Sequence, residues 1–295
     1  MVARSQEEMK WLIVGGGQLA KSLEAELTTS NITFISLNRS QLDISDRNQV
    51  NDVLLSERPS VVVNAAAWTN VDLAETHEAE ARIVNALGPE FLAQASMQIE
   101  SSFVQISTDY VFSGLSGTPW KENALTAPSS AYGRTKAEGE FRVLKAFPQG
   151  TRVIRTAWLY SQYGKNFVKT IAKIALEESH EVEVVSDQIG QPTSAYDLAS
   201  HIRVLVEANA RPGIYHGTNA GSASWFDLAQ FVFNFCGANP ERVKPCKTIN
   251  KAGIAFRPHY SVLGHEKWLE EGLMPMRDWR IALEDALPSI ISELS

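Results

Sequence analysis

The stretch Trp11-Leu12-Ile13-Val14-Gly15-Gly16-Gly17-Gln18-Leu19-Ala20 decides the fold, because a short apolar run passes directly into a glycine-rich turn and an amphipathic segment. Glycine at positions 15 and 17 lets the backbone turn sharply and approach a pyrophosphate, whose charge is favoured by free N–H groups at a helix start. We therefore expect Gly15, Gly17, Gln18 and Leu19 to bind the phosphates of a dinucleotide. The alternative is a plain strand-to-helix turn.

Short apolar runs alternate with longer amphipathic stretches through the first half of the chain. The runs predict buried parallel strands at Trp11–Val14, Thr33–Leu37, Val61–Val63, Phe103–Ile106 and Arg152–Ile154. The stretches between them predict helices at Leu19–Thr28, Arg47–Glu57, Ala74–Met97 and Ser130–Ala146. This βαβαβ order predicts an α/β fold with a doubly wound parallel sheet of the Rossmann-like type.

The order loosens after Tyr160. Helices are predicted at Phe167–Glu177, Ala195–Ala208 and Trp225–Cys236, and strands at Val182–Val185 and Gly213–His216. We expect residues 1–158 to form a dinucleotide-binding domain, joined by returning segments near 186–220. Residues 159–185 and 221–295 would form a smaller, discontinuous C-terminal substrate lobe over the carboxyl edge of the sheet, where ligands of open α/β sheets bind.

Composition limits the class of ligand and compartment. The 295 residues are 44% hydrophobic and carry 27 basic against 34 acidic side chains, a net charge of -7, so no global positive field attracts nucleic acid. The cysteines Cys236 and Cys246 lack paired metal spacing, and Met1–Lys10 is too polar for a secretory segment. We expect a reduced, cytoplasmic protein without a membrane span, a bound metal ion or a disulfide.

The end of the second predicted strand bears on cofactor choice. An acidic residue there usually binds the adenosine ribose, but the chain has Asn38-Arg39 instead. The planar guanidinium of Arg39 could pair with a 2'-phosphate, which predicts NADPH in preference to NADH, with NADH still possible. The alternative for Arg39 is an ordinary solvated arginine. Asp43 and Ile44 are expected at the adenine, by a hydrogen bond and by covering the ring, unless Asp43 only caps a turn.

The chemistry-bearing pair is Tyr132 and Lys136, four residues apart on one face of a predicted helix. A nearby ammonium favours the phenolate, so Lys136 is expected to lower the pKa of Tyr132 towards neutrality. Such a spacing also arises when an aromatic ring packs on a lysine stem. Support comes from Thr108, which follows a buried strand and so reaches the same edge of the sheet.

These three side chains predict a carbonyl reduction. Hydride would pass from the nicotinamide to a sugar keto carbon, while Tyr132 protonates the developing alkoxide and Thr108 hydrogen-bonds the same oxygen. Lys136 would in addition hold the nicotinamide ribose.

Several longer motifs extend the argument to the whole chain. They are Asn64-Ala65-Ala66-Ala67-Trp68-Thr69-Asn70-Val71-Asp72, Ala74-Glu75, Ser107-Thr108-Asp109-Tyr110-Val111-Phe112, Tyr132-Gly133-Arg134-Thr135-Lys136, Arg155-Thr156-Ala157-Trp158-Leu159-Tyr160, Asn166-Phe167, Asp187-Gln188-Ile189-Gly190-Gln191-Pro192-Thr193, Arg257-Pro258 and Ser261-Val262-Leu263. Together they resemble the dTDP-4-dehydrorhamnose reductase family of the extended short-chain dehydrogenase/reductase superfamily. The resemblance implies NADPH-dependent reduction of dTDP-4-dehydro-L-rhamnose to dTDP-L-rhamnose, a precursor of cell-surface polysaccharide.

The resemblance also implies roles for individual residues. The nicotinamide and its ribose would be bordered by Ala65, Ala66, Ala67, Trp68 and Thr69, which otherwise serve tight strand-to-helix packing. The substrate would contact Thr108, Asp109, Trp158 and Arg257. Trp158 could instead belong to the core, and Arg257 could form a surface salt bridge rather than bind the diphosphate. Some members use Mg²⁺ and form homodimers, although no acidic cluster in this sequence can be assigned as metal ligands.

Two departures and three competing functions stand beside this resemblance. The family usually spaces its glycines as G-x-x-G-x-x-G, whereas Gly15, Gly17 and Ala20 form a loop one residue shorter, and some members carry aspartate at the position of Asn38.

The motif Ser-Thr-Asp-Glu is typical of 4,6-dehydratases, and this chain has Tyr110 in place of the glutamate. Dehydration is therefore disfavoured. A sugar-nucleotide epimerase and an NAD(P)-binding regulator similar to the methionine adenosyltransferase regulatory subunit remain open, since both share the fold.

Overall fold

A computed structural model describes residues 9–177, 179–249 and 254–294. The helices are α1 Gln18–Thr29, α2 Arg47–Glu57, α3 Val71–Ala74, α4 Glu78–Arg82, α5 Gly88–Gln98, α6 Ala131–Ala146, α7 Phe167–Glu177, α8 Ala195–Glu207, α9 Trp225–Phe235, α10 Glu266–Glu270 and α11 Trp279–Ser292. The strands are β1 Trp11–Val14, β2 Phe34–Leu37, β3 Val61–Asn64, β4 Ser102–Thr108, β5 Thr151–Thr156, β6 Leu159–Tyr160, β7 Val182–Val185, β8 Ile189–Gly190, β9 Thr193–Ser194, β10 Gly213–His216, β11 Ala223–Ser224 and β12 Val243–Cys246.

The central sheet has the order β10-β5-β4-β3-β1-β2 within the described residues, and every neighbouring pair is parallel. The order reverses between β1 and β3, because the chain crosses to β2 on one side and to β4 on the other. Ligands of open α/β sheets bind at the carboxyl ends of the strands beside such a reversal. The predicted doubly wound, Rossmann-like sheet is therefore confirmed, and its switch point lies at the glycine-rich turn.

Helices cover both faces of this sheet, which is why its strands are continuous apolar runs. On one face α1 and α8 bury Leu23 and Ile202 against β1 and β3. On the other face α2, α5 and α6 bury Leu54, Leu92 and Val143 against the same strands and β4. The site-bearing loops are thus anchored on a rigid two-sided core.

A separate apolar cluster lies in the C-terminal half. It joins α7, α9 and α11 with β7 and β12, and its centre includes Ile171, Val232, Phe233 and Leu283. These residues fall within 159–185 and 221–295, the segments assigned by sequence to the substrate lobe. The division into two domains remains a prediction. Residues 1–8 and 295, at the two ends of the chain, lie outside the described residues, and so does most of the polar segment Met1–Lys10.

The predicted helix Ala74–Met97 is wrong as a single element. The segment divides into α3, α4, a π-helical turn Ile83–Leu87 and α5. Asn70 starts α3 early by accepting a hydrogen bond from the Leu73 amide at 3.0 Å. Pro89 has no N–H to give to the carbonyl of Asn85, four residues earlier, which accounts for the widened π turn.

Candidate active site

The glycine-rich turn is built for close approach of backbone to backbone. Gly15 adopts φ +131°, and a Cβ there would lie 3.0 Å from the backbone of Ala65 and Ala66. Gly17 precedes α1 and offers no side chain to the helix start, so the first amides of α1 are free of a side-chain cap. The turn can therefore present N–H groups to a phosphate, in agreement with the sequence hypothesis.

A cavity of about 280 Å³ opens beside this turn. Its lining contains most of the residues predicted to bind the cofactor: Gly15, Gly17, Arg39, Asp43, Ile44, Ala65, Ala66, Ala67, Trp68 and Thr69. Leu42 and Val84 also line it and were not predicted, because ordinary apolar residues carry no motif. The composition of this cavity, apolar walls with one arginine at its edge, suits an adenosine whose ribose carries a phosphate.

The side chains of Asn38 and Asp43 are already used inside the chain. Asn38 Oδ1 accepts hydrogen bonds from the amide and hydroxyl of Ser40, at 2.9 and 2.7 Å, and is not part of the cavity wall. Asp43 Oδ1 accepts from the amide and hydroxyl of Ser45, which lowers the pKa of the Asp43 carboxyl. Asp43 thus caps a turn, the alternative left open by the sequence, while it also borders the cavity.

A second cavity, of about 460 Å³, adjoins the first and shares Gly17, Ala65–Ala67 and Thr69 with it. Its wall includes Gln18, Leu19 and Trp158. It also gathers the predicted catalytic and substrate residues Thr108, Asp109, Tyr132 and Lys136. A ligand could therefore extend from the glycine turn to these side chains through the two adjoining cavities.

Helix α6 carries Tyr132 and Lys136 into this cavity because its start is fixed by two caps. Ser130 Oγ accepts from the Gly133 amide at 3.1 Å, and Glu75 Oε1 accepts from the Ala131 amide at 2.8 Å. Lys136 Nζ then donates to the carbonyl oxygen of Ile106 at 2.6 Å, which ties the lysine to the end of β4. Glu75 was quoted only as part of a motif, and its capping role follows from the structure alone.

The Thr108 hydroxyl stands at the end of β4. It donates to Asp109 Oδ1 at 2.9 Å and accepts from the Tyr110 amide at 3.2 Å. The ring of Tyr110 packs edge-on against the ring of Tyr132, with centroids 5.6 Å apart. The structure therefore brings the three predicted catalytic side chains to one wall, with Asp109 beside them.

Burial is the largest influence on the pKa values of the side chains in this wall. It raises the pKa of Tyr132 to about 12, although an interaction with the Thr108 hydroxyl opposes the increase. It lowers the pKa of Lys136 to about 8, although Glu140 opposes the decrease, and it raises the pKa of Asp109 to about 6. The hypothesis that Lys136 brings the pKa of Tyr132 towards neutrality is corrected here, because burial outweighs the opposing interactions. At neutral pH Tyr132 holds its proton and Lys136 its charge.

Trp158 lines the second cavity in a left-handed conformation with φ +46°. Its indole stacks on Trp225, with ring centroids 3.7 Å apart and an angle of 11° between the planes. A Cβ at Gly190 would come within 2.6 Å of the same ring. Trp158 therefore packs against another aromatic ring while it also lines the cavity, and its contact with the substrate stays a prediction.

Arg257 is engaged elsewhere. Its Nη2 donates to Asp72 Oδ2 at 2.9 Å, and its side chain is 26% exposed. It lines neither cavity described above, so the structure shows the salt-bridge alternative, and binding of the diphosphate by Arg257 stays a prediction. Lys165 lines the second cavity next to Gly164 instead. Sequence reasoning missed Lys165, although the quoted Asn166-Phe167 motif directly follows it.

Two further features of the described residues concern metal ligands and membrane spans. Residues 9–177, 179–249 and 254–294 hold no group of three or more His, Cys, Asp or Glu side chains arranged for a metal ion, so the Mg²⁺ implied by the resemblance gains no support. Among the helices of these same residues, none has the length and apolar character that spanning a membrane requires.

Comparison with known proteins gives the family. The family model described as the RmlD substrate binding domain matches residues 9–291. A dTDP-4-keto-6-deoxy-D-glucose reductase of Streptomyces niveus is 44% identical, over 97% of this chain and 99% of the relative. A dTDP-4-dehydrorhamnose reductase of Streptomyces griseus is 42% identical, over 95% of this chain and 94% of the relative.

Solved structures agree. The dTDP-4-dehydrorhamnose reductase of Bacillus anthracis, in complex with NADP, superposes with a TM-score of 0.90 at 36% identity, covering 95% of this chain and 99% of that one. A UDP-glucose 4-epimerase of Thermus thermophilus with NAD reaches a TM-score of 0.79 at 19% identity, covering 96% of this chain and 99% of that one, which shows the shared fold alone. The chain belongs to the RmlD substrate binding domain family and is an oxidoreductase of the dTDP-4-dehydrorhamnose reductase type.

Proposed function

We propose that this protein uses NADPH to reduce the keto group of dTDP-4-dehydro-L-rhamnose, giving dTDP-L-rhamnose, with Tyr132 as the proton donor. One observation carries the proposal. Thr108, Tyr132 and Lys136 meet in a cavity that continues into the glycine-turn cavity lined by Arg39. A dinucleotide in the first cavity and a sugar nucleotide in the second would meet at the tyrosine.

NADPH, when bound, supplies the hydride that reduces the keto carbon. The residues of the chain then deal with the charge that develops on the keto oxygen. Tyr132 keeps its proton in the resting protein, because burial raises its pKa to about 12, so it is a donor at neutral pH. The Thr108 hydroxyl can turn towards the same oxygen and stabilise the developing oxyanion.

Lys136 has a different part in this scheme. Once Tyr132 has given up its proton, the buried phenolate needs a positive charge nearby, and the ammonium of Lys136 lines the same cavity. The lysine pKa of about 8 leaves the side chain charged at pH 7. The effect of the lysine on the tyrosine thus belongs to the moment after proton transfer rather than to the resting state.

Asp109 is suited to bind the sugar. Its carboxyl group is buried in the cavity wall next to Thr108, and its pKa of about 6 leaves most molecules ionised at pH 7. A carboxylate in a low-dielectric wall forms strong hydrogen bonds with sugar hydroxyls. Trp158, which lines the cavity, supplies an apolar surface for the ring of the substrate.

The test is to incubate the purified protein with dTDP-4-dehydro-L-rhamnose and NADPH and to follow the absorbance of NADPH. One NADPH consumed per sugar supports reduction, whereas sugar conversion without net NADPH consumption selects epimerization. The parallel reaction with dTDP-4-keto-6-deoxy-D-glucose decides between the substrates named in its relatives. Folded, NADPH-binding protein that consumes no NADPH with either sugar contradicts the proposal and favours the regulatory alternative.

A further inference from the structure

A fully buried ion pair stands behind the catalytic wall. Arg155 of β5 holds Glu140 of α6 with two hydrogen bonds, Nε to Oε1 at 2.9 Å and Nη2 to Oε2 at 2.7 Å. The side chains are 1% and 4% exposed. Removing two charges from water is costly, and such a pair often stabilises a fold no better than apolar residues of the same size. The buried pair therefore needs an explanation other than stability.

Other polar groups surround both members of this ion pair. Ser107 Oγ donates to Glu140 Oε1 at 2.6 Å. The remaining Nη1 of Arg155 lies 3.2 Å from the carbonyl oxygen of Glu122 and 3.4 Å from Nε2 of His216. Burial and the charge of Arg155 hold the pKa of His216 well below its usual range, so the imidazole stays neutral. Glu140 is thus clamped in one position by two elements of the sheet.

This clamp is continuous with the catalytic residues. Three consecutive residues at the end of β4 make different contacts. The carbonyl of Ile106 accepts a hydrogen bond from Lys136, and the hydroxyl of Ser107 donates one to Glu140. The next residue, Thr108, places its hydroxyl in the active-site cavity. Lys136 and Glu140 are one turn apart on α6 and so face β4 together. The hydrogen bonds of Lys136 with Ile106 and of Glu140 with Ser107 therefore fix the position of α6 along β4.

We propose that Glu140 is a positioning residue which, clamped by Arg155 and Ser107, keeps Lys136 charged and in register with Thr108 during the reduction. The inference rests on the proposed catalytic role of Lys136. It deepens that role by naming the group that keeps the buried ammonium charged. No contact between Glu140 and the substrate is required, because Glu140 does not line the cavity.

The charges around Lys136 agree with this assignment. Within the described residues, the titratable groups that share its cavity wall or its helix face are Tyr132, Glu140, Asp109, Tyr110 and Lys165, with Arg155 and His216 behind Glu140. Burial lowers the pKa of Lys136 to about 8, and the carboxylate of Glu140 is the group that opposes the decrease. Without that carboxylate the lysine would lose its proton at a lower pH.

The test compares the pH profiles of kcat/KM for the wild type, Glu140→Gln and Glu138→Gln. Glutamine keeps the size and one acceptor of glutamate but removes the charge. Glu138 is the matched control, since it lies on the same helix and also pairs with arginines, Arg82 and Arg142, but at the exposed face. We expect the alkaline limb of Glu140→Gln to move down by about 1 pH unit, which lowers the rate at pH 8 about fivefold. The limb of Glu138→Gln should not move.

A second variant guards against loss of folding, because Glu140→Gln leaves the Arg155 guanidinium buried without a counter-charge. The double variant Glu140→Gln with Arg155→Gln removes both charges, and a downward shift is still expected from it, smaller than in the single variant because no unpaired Arg155 charge then repels the lysine. A folded variant of either kind with the wild-type alkaline limb overturns the inference about Glu140. If instead the wild type shows no NADPH-dependent reduction at all, it is the proposed function that fails.

Discussion

Replacement of Arg39 by alanine tests how the protein chooses its nicotinamide cofactor. Arg39 lines the first cavity, where its charge helps to lower the pKa of the Asp43 carboxyl, and within the described residues its guanidinium forms no hydrogen bond. Its planar fork is therefore available to a 2'-phosphate. Hydrogen bonds to charged groups contribute about 1.5–3 kcal/mol, and we take about 1.5–2 kcal/mol because Arg39 is exposed. This corresponds to about a 10- to 30-fold decrease in kcat/KM for NADPH.

The assay measures kcat/KM with NADPH and with NADH in the wild type and in Arg39→Ala. The value for NADH should stay within about twofold, because NADH lacks the phosphate that the arginine contacts. Arg47→Ala is the matched control, since Arg47 is bound to Gln94 at 2.8 Å and lies outside the cavity wall. The reasoning is refuted if Arg39→Ala leaves the preference unchanged, or if it weakens both cofactors to the same extent.

Three further predictions follow from the same geometry. The wild-type rate should fall as the pH rises through about 8, because Lys136 loses its charge there, and a kcat/KM profile will check this. The KM for the sugar nucleotide should rise as the pH falls through about 6, where Asp109 becomes protonated, and Asp109→Asn should abolish this dependence while raising KM at pH 7. Gly139→Ala should lower the free energy of unfolding in urea by about 1–3 kcal/mol, because its Cβ would collide with the Asn85 carbonyl, whereas Gly117→Ala, which faces open space, should not.

The sheet and the cavity at the glycine turn could be predicted because their signals are local. A strand, a glycine turn and a helix follow one another within ten residues from Trp11 to Ala20, so their relation in space is set by chain connectivity. The residues at the ends of parallel strands meet at one edge, which placed Thr108 beside Tyr132. Both cavities lie where these rules put them.

What could not be predicted depends on contacts between distant segments. The early start of α3 and the π turn arise from the Asn70 cap and the missing N–H of Pro89, which a pattern of apolar residues does not reveal. Arg155 reaches Glu140 only because β5 lies next to β4, and a glutamate on a helix otherwise indicates a solvated face. The pKa of Tyr132 likewise depends on how deeply the fold buries it.

The central claim is that Tyr132 gives its proton to the sugar oxygen as hydride arrives. Single-turnover reduction of dTDP-4-dehydro-L-rhamnose by Tyr132→Phe, with both ligands saturating, tests it most directly. We expect the rate to fall by about 10²- to 10⁴-fold while NADPH binding, followed by fluorescence titration, stays close to that of the wild type. A folded Tyr132→Phe protein that reduces the sugar at the wild-type rate would contradict the claim.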